Sequence, residues 1–410
     1  MQMGSSILKD KNIVLAVSGS IAAYKMASLA SMLVKQGACV RVVMTDSARK
    51  FISDLTFEAL TGFHVVYGED AQSLLAAEDL AAKADAVLLA PASANSLAHV
   101  AKGMACSAVA TACLAAACPV AVAPAMNVHM YQSAPVQRNL EVLRSRGVAV
   151  VEPATGMLAC GEEGAGKLAP ESELLERLQM MCTPQKDLQG KRILVTAGPT
   201  REALDPVRFI TNHSTGKMGY AIAKQAMLRG ADVVLVTGRV SIQPPSNVQV
   251  VPIESAQDMF NAVTQHAPSC HAVIKAAAVA DYRPAQTHQD KVKKKDADMA
   301  IQLERTQDIL AWLGSHRVPG QRLCGFSMET RDVLENSRAK LERKNVDMIC
   351  ANSLKEPGAG FGTPTNHLTL ITRQGMTDLP LMSKEDAADR LLTELFSLPC
   401  QGESEGQECC

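Results

Sequence analysis

The feature that most constrains this chain is a repeated alternation between short, continuous apolar runs and longer segments with helical spacing. Aliphatic and β-branched runs without polar alternation are typical of parallel strands that are covered on both faces. Segments such as Ala22–Gln36 and Asn95–Ala117 are long enough to be the crossover helices between them. The first half therefore predicts a doubly wound sheet. Its expected strands are Ile13–Val17, Val40–Met44, Ala86–Leu89, Val120–Ala123 and Val148–Val151.

A second alternation follows a polar segment, residues 183–190, which Pro184 and Gly190 mark as the best linker candidate. Seven further strands are expected after it: Ile193–Thr196, Val233–Val236, Val248–Val251, Ala272–Ala276, Leu323–Phe326, Met348–Ala351 and Leu368–Ile371. We predict an α/β protein with two doubly wound, Rossmann-like domains, residues 1–182 and 191–398. A disordered tail is expected over 399–410.

The amino-acid composition argues against some classes of partner. Lys plus Arg number 41 and Asp plus Glu 42 in 410 residues, so no basic surplus indicates a nucleic-acid or membrane partner. No run reaches the ~18 apolar residues that a membrane span needs. The twelve cysteines are scattered without a CxxC pair, which favours reduced thiols in a cytoplasmic protein.

In the first half, polar and small residues follow the ends of predicted strands. Ser18-Gly19-Ser20 opens a helix, where small residues and free amides suit a phosphate. Because GxGxxG is absent, a mononucleotide fits as well as a dinucleotide, and a plain strand–helix turn stays open. Ser93 and Asn127 lie after later strands, where open α/β sheets bind ligands. Asn127 can bind a carboxylate or amide, or simply cap a helix.

The Gly-rich segment Gly156–Lys167 carries a single cysteine, Cys160. Such a loop can close over a substrate and present a thiol as proton donor. Taken alone, it can equally be a surface hairpin.

Together these segments resemble the flavin-dependent phosphopantothenoylcysteine decarboxylases over nearly all of residues 8–180. SGSIAAYK, APASAN, PAMN and ACG occur in the family's order. The resemblance implies an FMN-dependent decarboxylation in which Asn127 holds the substrate carboxylate and Cys160 donates a proton. The residues that it places in the cofactor-binding regions are Ser18, Gly19, Ser20, Ser93 and Thr111.

The main departure from that family's pattern is at a catalytic position, and the family's acidic pair also reads Ala105-Cys106-Ser107 here. Counting back from Asp85, Ala77 stands where the family has a catalytic His, and His64 is not an obvious substitute. Loss of a general acid–base group typically costs 10²–10⁴-fold in rate. The departure leaves an alternative in which only the second half of the chain is catalytically active, and the first half is an FMN-binding or oligomerising scaffold.

The second half carries its own strand-end motifs. Gly216-Lys217 lacks Walker A spacing but can still hold an anion at a helix start, or simply begin a capped helix. Asp281 follows a strand and can bind Mg²⁺ or a ribose hydroxyl. Lys291 begins a basic run that is either solvated or neutralises phosphoryl charge. Lys340 and Lys344 are four residues apart and share a helix face.

These motifs resemble the phosphopantothenate–cysteine ligase domain over about residues 190–395. TAGPTREALDPVR, NHSTGKMG, AAAVADYRP, KVKKK, GFSMET and KNVDMICAN appear in order. The resemblance implies activation of the substrate carboxylate by CTP as an acyl-cytidylate, from which cysteine displaces CMP. Asn212 would hold that intermediate and Lys291 would stabilise its charge. The nucleotide-binding residues that it implies are Asp281, Lys291, Gln307, Asp308, Ile309, Leu310, Phe326, Lys340 and Lys344.

The whole chain thus resembles the bifunctional coenzyme A biosynthesis enzymes of the bacterial fused type. This implies FMN and Mg²⁺ as cofactors, 4′-phosphopantothenate, cysteine and CTP as substrates, and a homo-oligomer. The Mg²⁺ ligands are not identified. A nicotinamide dehydrogenase is the fold-level alternative, disfavoured by the missing GxGxxG, and a regulatory binding subunit is the non-enzymatic one.

Overall fold

The computed structural model describes residues 6–157, 161–292, 300–327, 333–352, 358, 360 and 362–399. The chain divides into two compact units, one of residues 5–184 and another that begins at Gln185.

The first unit alternates strands and helices. Its strands are β1 (Asn12–Val17), β2 (Cys39–Met44), β3 (Val66–Tyr67), β4 (Ala86–Ala92), β5 (Val120–Pro124), β6 (Ala149–Val150), β7 (Ala154–Met157) and β8 (Glu163–Lys167). Its helices are α1 (Lys25–Lys35), α2 (Asp46–Arg49), α3 (Asp54–Thr61), α4 (Ala71–Ala82), α5 (Ala94–Lys102), α6 (Ala108–Leu114), α7 (Val128–Gln132), α8 (Ala134–Ser145) and α9 (Glu171–Cys182).

Six strands of this unit form a parallel sheet in the order β3-β2-β1-β4-β5-β6. Leu15 and Val17 of β1 pack into one core cluster, whereas Val14 and Ala16 pack into another. A strand buried on both faces needs apolar residues at every position, which is why the run is continuous. The predicted doubly wound sheet is confirmed. The segment expected between β4 and β5 forms two helices, because Gly103 ends α5 in the left-handed conformation.

The second unit has its own set of elements. Its strands are β9 (Arg192–Ala197), β10 (Arg201–Ala203), β11 (Phe209–Thr211), β12 (Asp232–Thr237), β13 (Gln249–Pro252), β14 (Ala272–Lys275), β15 (Tyr282–Pro284), β16 (Leu303–Arg305), β17 (Arg322–Ser327), β18 (Met348–Asn352), β19 (Thr365–Thr372) and β20 (Met376–Ser383). Its helices are α10 (Lys217–Leu228), α11 (Ala256–His266), α12 (Ile309–Ser315), α13 (Val333–Arg343) and α14 (Lys384–Ser397).

Its main sheet has the order β13-β12-β9-β14-β17-β18-β19-β20. The first six strands are parallel, but β19 and β20 are antiparallel additions at one edge. Neither β20 nor the antiparallel orientation of β19 was predicted. Most side chains of β20 are exposed and the strand contains Pro380, which is tolerated only where a ladder hydrogen bond is not needed. Such an edge strand lacks the apolar run that marks a central one.

The polar segment between the units packs onto the second unit. Leu188 is buried, and its amide donates to the Arg229 carbonyl oxygen. The buried Arg229 guanidinium also pairs with Asp187 and Asp389, which fastens this segment near α14. The assignment of 183–190 as a linker stays a prediction. In the described part of the chain, no helix combines the length and the apolar character that crossing a membrane requires.

Candidate functional sites

A cavity of about 480 Å³ opens in the first unit, where the residues after β1, β4 and β5 meet the β7–β8 hairpin. Four of the residues predicted to act there line it: Gly19, Ser20, Ser93 and Asn127. Met126, Met130 and Met157 give it apolar walls. Parallel strands bring their carboxyl ends to one edge, which is why Gly19 and Asn127, 108 positions apart in the chain, meet here.

Ser18 ties two of these strand ends together. Its Oγ donates to the Pro91 carbonyl oxygen at 2.7 Å and accepts from the Ser93 amide at 2.9 Å. The side chain is fully buried, so Ser18 supports the cavity floor and does not line it. Gly19 beside it is needed for space, since a Cβ there would lie 2.6 Å from the Ser47 Cβ.

The Asn127 side chain makes two hydrogen bonds at the same time. Its Oδ1 accepts from the His129 amide at 2.8 Å, which caps α7, and its Nδ2 donates to the Glu162 carboxylate at 2.7 Å. The cap that the sequence left open is therefore present, and the amide still faces the cavity. Glu162 was not predicted; the signal was available, because it lies in the Gly-rich segment next to Cys160.

The β7–β8 hairpin approaches the β5–α7 turn through glycines. A Cβ at Gly166 would lie 2.4 Å from the Met126 carbonyl oxygen, and one at Gly164 would lie 2.7 Å from Val128 Cγ2. The Met126 amide donates to the Gly166 carbonyl oxygen at 3.0 Å. The glycines thus allow a direct backbone contact. Cys160, the predicted proton donor, lies outside the described residues.

Two other positions of the first unit lie away from the lining of this cavity. Thr111, on α6, is buried and its Oγ1 has no hydrogen-bond partner in the described structure. It is not among the described residues that line the cavity, although it was predicted to bind the cofactor. Ala77 is fully buried on α4 and packs in the core cluster that contains Val14 and Leu89.

These features fit a flavin mononucleotide. The volume lies in the range of cofactor pockets, with apolar walls and a few convergent polar groups.

The second unit gathers its predicted residues around the segment that follows β14. Asn212 Nδ2 donates to the Ala278 carbonyl oxygen at 3.0 Å. The Thr200 Oγ1 accepts from the Ala280 amide at 3.0 Å, and the Thr306 amide donates to the Asp281 carbonyl oxygen at 3.0 Å. Three separate parts of the chain therefore hold the backbone that presents Asp281. Thr200 and Thr306 were not predicted.

Charged side chains converge beside that segment. Lys344 forms an ion pair with Asp308, and Lys340 Nζ donates to the Phe326 carbonyl oxygen at 3.3 Å. Lys275, the last residue of β14, lies within electrostatic range of both lysines and of Asp281 and Asp308. Burial opposes ionisation of Asp308, but hydrogen bonds from Lys344 and the Ala311 amide hold its pKa below the ordinary value. The structure thus brings together five of the predicted nucleotide-binding residues.

Two of the remaining predicted residues have side chains that belong to the core. The side chains of Ile309 and Leu310 are buried at the start of α12, and Leu310 would contact a Cβ at Gly325. Only their backbone is left for a ligand, because the apolar side chains complete the core. Gln307 is exposed beside Asp308, which caps α12.

Lys291 is exposed and makes no hydrogen bond or ion pair with the described residues. The next residue is fixed: the Val292 amide donates to Asp205 at 3.2 Å. The Arg208 guanidinium binds the same carboxylate and holds the pKa of Asp205 well below its usual range. Asp205 and Arg208 therefore anchor the start of the basic run, and Lys293, Lys294 and Lys295 lie outside the described residues.

The Gly216-Lys217 turn is a packing feature. Val240 fills the space above it, within 3.0 Å of the Cβ positions that Gly198 and Gly216 lack. Lys217 Nζ donates to the Gly362 carbonyl oxygen at 2.5 Å. A separate cavity of about 700 Å³ lies beyond, at the ends of β12 and β13. The described residues contain no group of three or more His, Cys, Asp or Glu that could hold a metal ion.

Two family models match the chain. The Flavoprotein model matches residues 3–183, and the model described as "DNA/pantothenate metabolism flavoprotein C-terminal domain" matches residues 188–398. Together they cover both units.

Curated relatives match along the whole length. The coenzyme A biosynthesis bifunctional protein CoaBC of Bacillus subtilis is 44% identical over 402 residues, which are 96% of this chain and 99% of that protein. CoaBC of Escherichia coli is 43% identical over 396 residues, 95% of this chain and 98% of its own. Among solved structures, a C-terminal domain of CoaBC is 47% identical and covers 50% of this chain and 94% of its own, with a TM-score of 0.44.

Proposed function

The chain belongs to the family of the coenzyme A biosynthesis bifunctional protein CoaBC, and on this premise we propose that it converts 4′-phosphopantothenate to 4′-phosphopantetheine in two steps. The second unit ligates cysteine with CTP, and the first unit decarboxylates the product with FMN. The ligase-only alternative is not favoured, because relatives named as bifunctional align along both halves.

The observation that carries the ligase step is the convergence of Lys275, Lys340 and Lys344 with Asp281 and Asp308. Clustered ammonium groups stabilise transferring phosphoryl groups. The substrate carboxylate attacks the α-phosphorus of CTP and pyrophosphate leaves. The amine of cysteine then attacks the acyl carbon, and the bond to CMP breaks. Mg²⁺ would accompany the phosphates.

Three residues of the second unit have assigned roles in that step. Asn212, held against Ala278 at the edge of the cluster, holds the acyl-cytidylate. Lys291 stabilises the developing charge, with its backbone placed by the contact of Val292 with Asp205. Asp281 binds the nucleotide through a segment that Thr200 and Thr306 immobilise.

In the first unit, Gly19, Ser20 and Ser93 would hold FMN, which supplies two-electron redox chemistry when bound, and Ser18 would fix the Ser93 backbone behind them. Asn127 hydrogen-bonds the substrate carboxylate and orients it, while Glu162 fixes the Asn127 amide. Cys160 delivers a proton to the substrate carbon. The hairpin over the turn restricts water around the reacting atoms.

Burial of Ala77 changes how the departure from the decarboxylase pattern is tested. A His introduced on α4 at this position would enter the apolar core and disturb folding, so Ala77→His does not isolate a catalytic contribution. Direct measurement of decarboxylation is the sharper test.

Two half-assays separate the steps. Purified protein receives either 4′-phosphopantothenate, cysteine, CTP and Mg²⁺, or 4′-phosphopantothenoylcysteine and FMN, and products are read by mass spectrometry. We expect CMP with 4′-phosphopantothenoylcysteine in the first, and 4′-phosphopantetheine in the second. Absence of either product would contradict that step alone. We further propose a cytoplasmic homo-oligomer, which light scattering of the purified protein checks for size.

A further inference from the structure

Lys275 occupies the centre of the second sheet. It ends β14, with Thr196 of β9 and Gly325 of β17 as its register partners. The chain runs outward from β9 to β12 and β13 before it returns at β14, so the strand order reverses between β9 and β14. Ligands of doubly wound sheets bind in the crevice at such a switch point. Lys275 thus lies at the edge of the crevice in which a ligand is expected to bind.

The ammonium group of Lys275 lies near two carboxylates, Asp281 and Asp308, but is in direct contact with neither in the described structure. It makes no hydrogen bond or ion pair with the described residues. Asp308 is paired with Lys344, and Lys340 adds a further positive charge nearby. A largely buried cation is unfavourable unless it is paired, so this arrangement is costly for the protein by itself.

A purely structural role does not account for this lysine. Neighbouring strand residues Val273 and Ile274 are buried and apolar, and an aliphatic residue would fill the same space without a charge. Burial, and then repulsion by Lys340, lower the pKa of Lys275 to about 8. A bound anion would reverse that balance, because a negative charge within a few ångströms favours the protonated amine.

We propose that Lys275 is a further nucleotide-binding residue of the ligase site and that it takes up a proton when the polyphosphate of CTP binds. The inference rests on the proposed function of the second unit. Protonation and binding are then linked: whatever raises the proton affinity of the bound state draws protons from solution. No covalent bond is made or broken in this step.

Four charged groups face Lys275 and are the other groups whose protonation CTP could affect. Lys340 and Lys344 approach from α13 and its end, Asp308 from the start of α12, and Asp281 from the segment after β14. The flanking positions on β9 and β17, Thr196 and Gly325, carry no charge. Removal of the titrating amine at position 275 should therefore remove the proton uptake.

Isothermal titration of the full-length protein with CTP and Mg²⁺ tests this. At pH 8, titrations in two buffers of different ionisation enthalpy give the protons taken up per nucleotide. We expect about half a proton for the wild type, since a group with a pKa of about 8 is half protonated there, and almost none at pH 6.5.

Two variants distinguish the effect of the positive charge at position 275 on CTP binding from the uptake of a proton there. Lys275→Arg keeps a permanent charge, so CTP should still bind while proton uptake disappears. Lys275→Met should weaken binding at least about 10-fold, which corresponds to loss of one charge-assisted contact, and also abolish uptake. Lys224→Met is the matched control, because Lys224 on α10 makes no hydrogen bond or ion pair with the described residues and should change neither quantity.

The outcomes distinguish a failure of the proposed ligase function from a failure of the inference about Lys275. If the wild type bound no CTP, the proposed ligase function would itself fall. CTP binding with equal proton uptake in wild type and Lys275→Arg would overturn the inference alone, as would undiminished affinity in Lys275→Met. Thermal unfolding of each variant confirms that it is folded.

Discussion

Both units place their candidate sites at the carboxyl edge of a doubly wound sheet, but the two sites are formed by different kinds of side chain. In the first unit the cavity is lined mainly by small, amide and thioether side chains, such as Ser20, Asn127 and Met130. In the second, the site is built from ammonium and carboxylate groups around Lys275. The fold supplies a position, whereas the side chains at the strand ends decide between an apolar ring system and a polyphosphate.

This contrast predicts that site variants affect one reaction only. The largest effect is expected for Asn127→Ala, which removes an oriented donor and frees Glu162; decarboxylation should fall at least about 100-fold while ligation is unchanged. Steady-state rates of the two half-assays measure it. Asn139→Ala, on α8, is the control. A loss of less than about 3-fold would mean that Asn127 only caps α7.

The hairpin contact should matter nearly as much. Gly166→Ala forces a Cβ against the Met126 carbonyl oxygen, so the hairpin shifts and decarboxylation drops roughly 10- to 100-fold. Gly156→Ala is a matched control, because Gly156 has the same φ of 151° but nothing within 4 Å of the Cβ position. Equal losses in both variants would attribute the effect to backbone strain and not to the close approach.

In the charged site, Lys344→Met should raise the KM for CTP about 10-fold and leave decarboxylation unchanged, because one cation of the cluster is lost. Raising the ionic strength should weaken CTP binding less in the variant than in the wild type. Initial rates over a range of CTP concentrations provide the check. Arg343→Met, the exposed neighbour on the same helix, serves as control; an equal change there would indicate a general loss of surface charge.

The smallest effect concerns stability. The pKa of Lys275 is about 8 in the folded protein against 10.5 as its ordinary value, so between these values the unfolded chain binds more protons. Unfolding free energy should therefore rise between pH 7 and pH 9, by about 1 kcal/mol from this group. Urea unfolding of wild type and Lys275→Met measures the difference; parallel pH profiles would contradict the depressed pKa.

Much of the architecture could be predicted from the chain alone. The parallel strands were marked by apolar runs, since a strand covered on both faces tolerates no polar position. The strand-end motifs indicated the sheet edges at which the candidate sites lie, because parallel topology brings carboxyl ends together. The edge strand β20 was not predicted, because an exposed strand that contains Pro380 lacks a continuous apolar run.

The sequence by itself determined the fold class, the family and the segments that form the sites, because these depend on local periodicity and on motifs that are contiguous in the chain. Only the tertiary structure decided which individual side chains serve them. It buried Ile309, Leu310 and Ala77 in the core, joined Glu162 to Asn127, and placed Lys275 among charged groups from three other parts of the chain. Burial and electrostatic neighbours are set by residues distant in the chain, so no local pattern contains them.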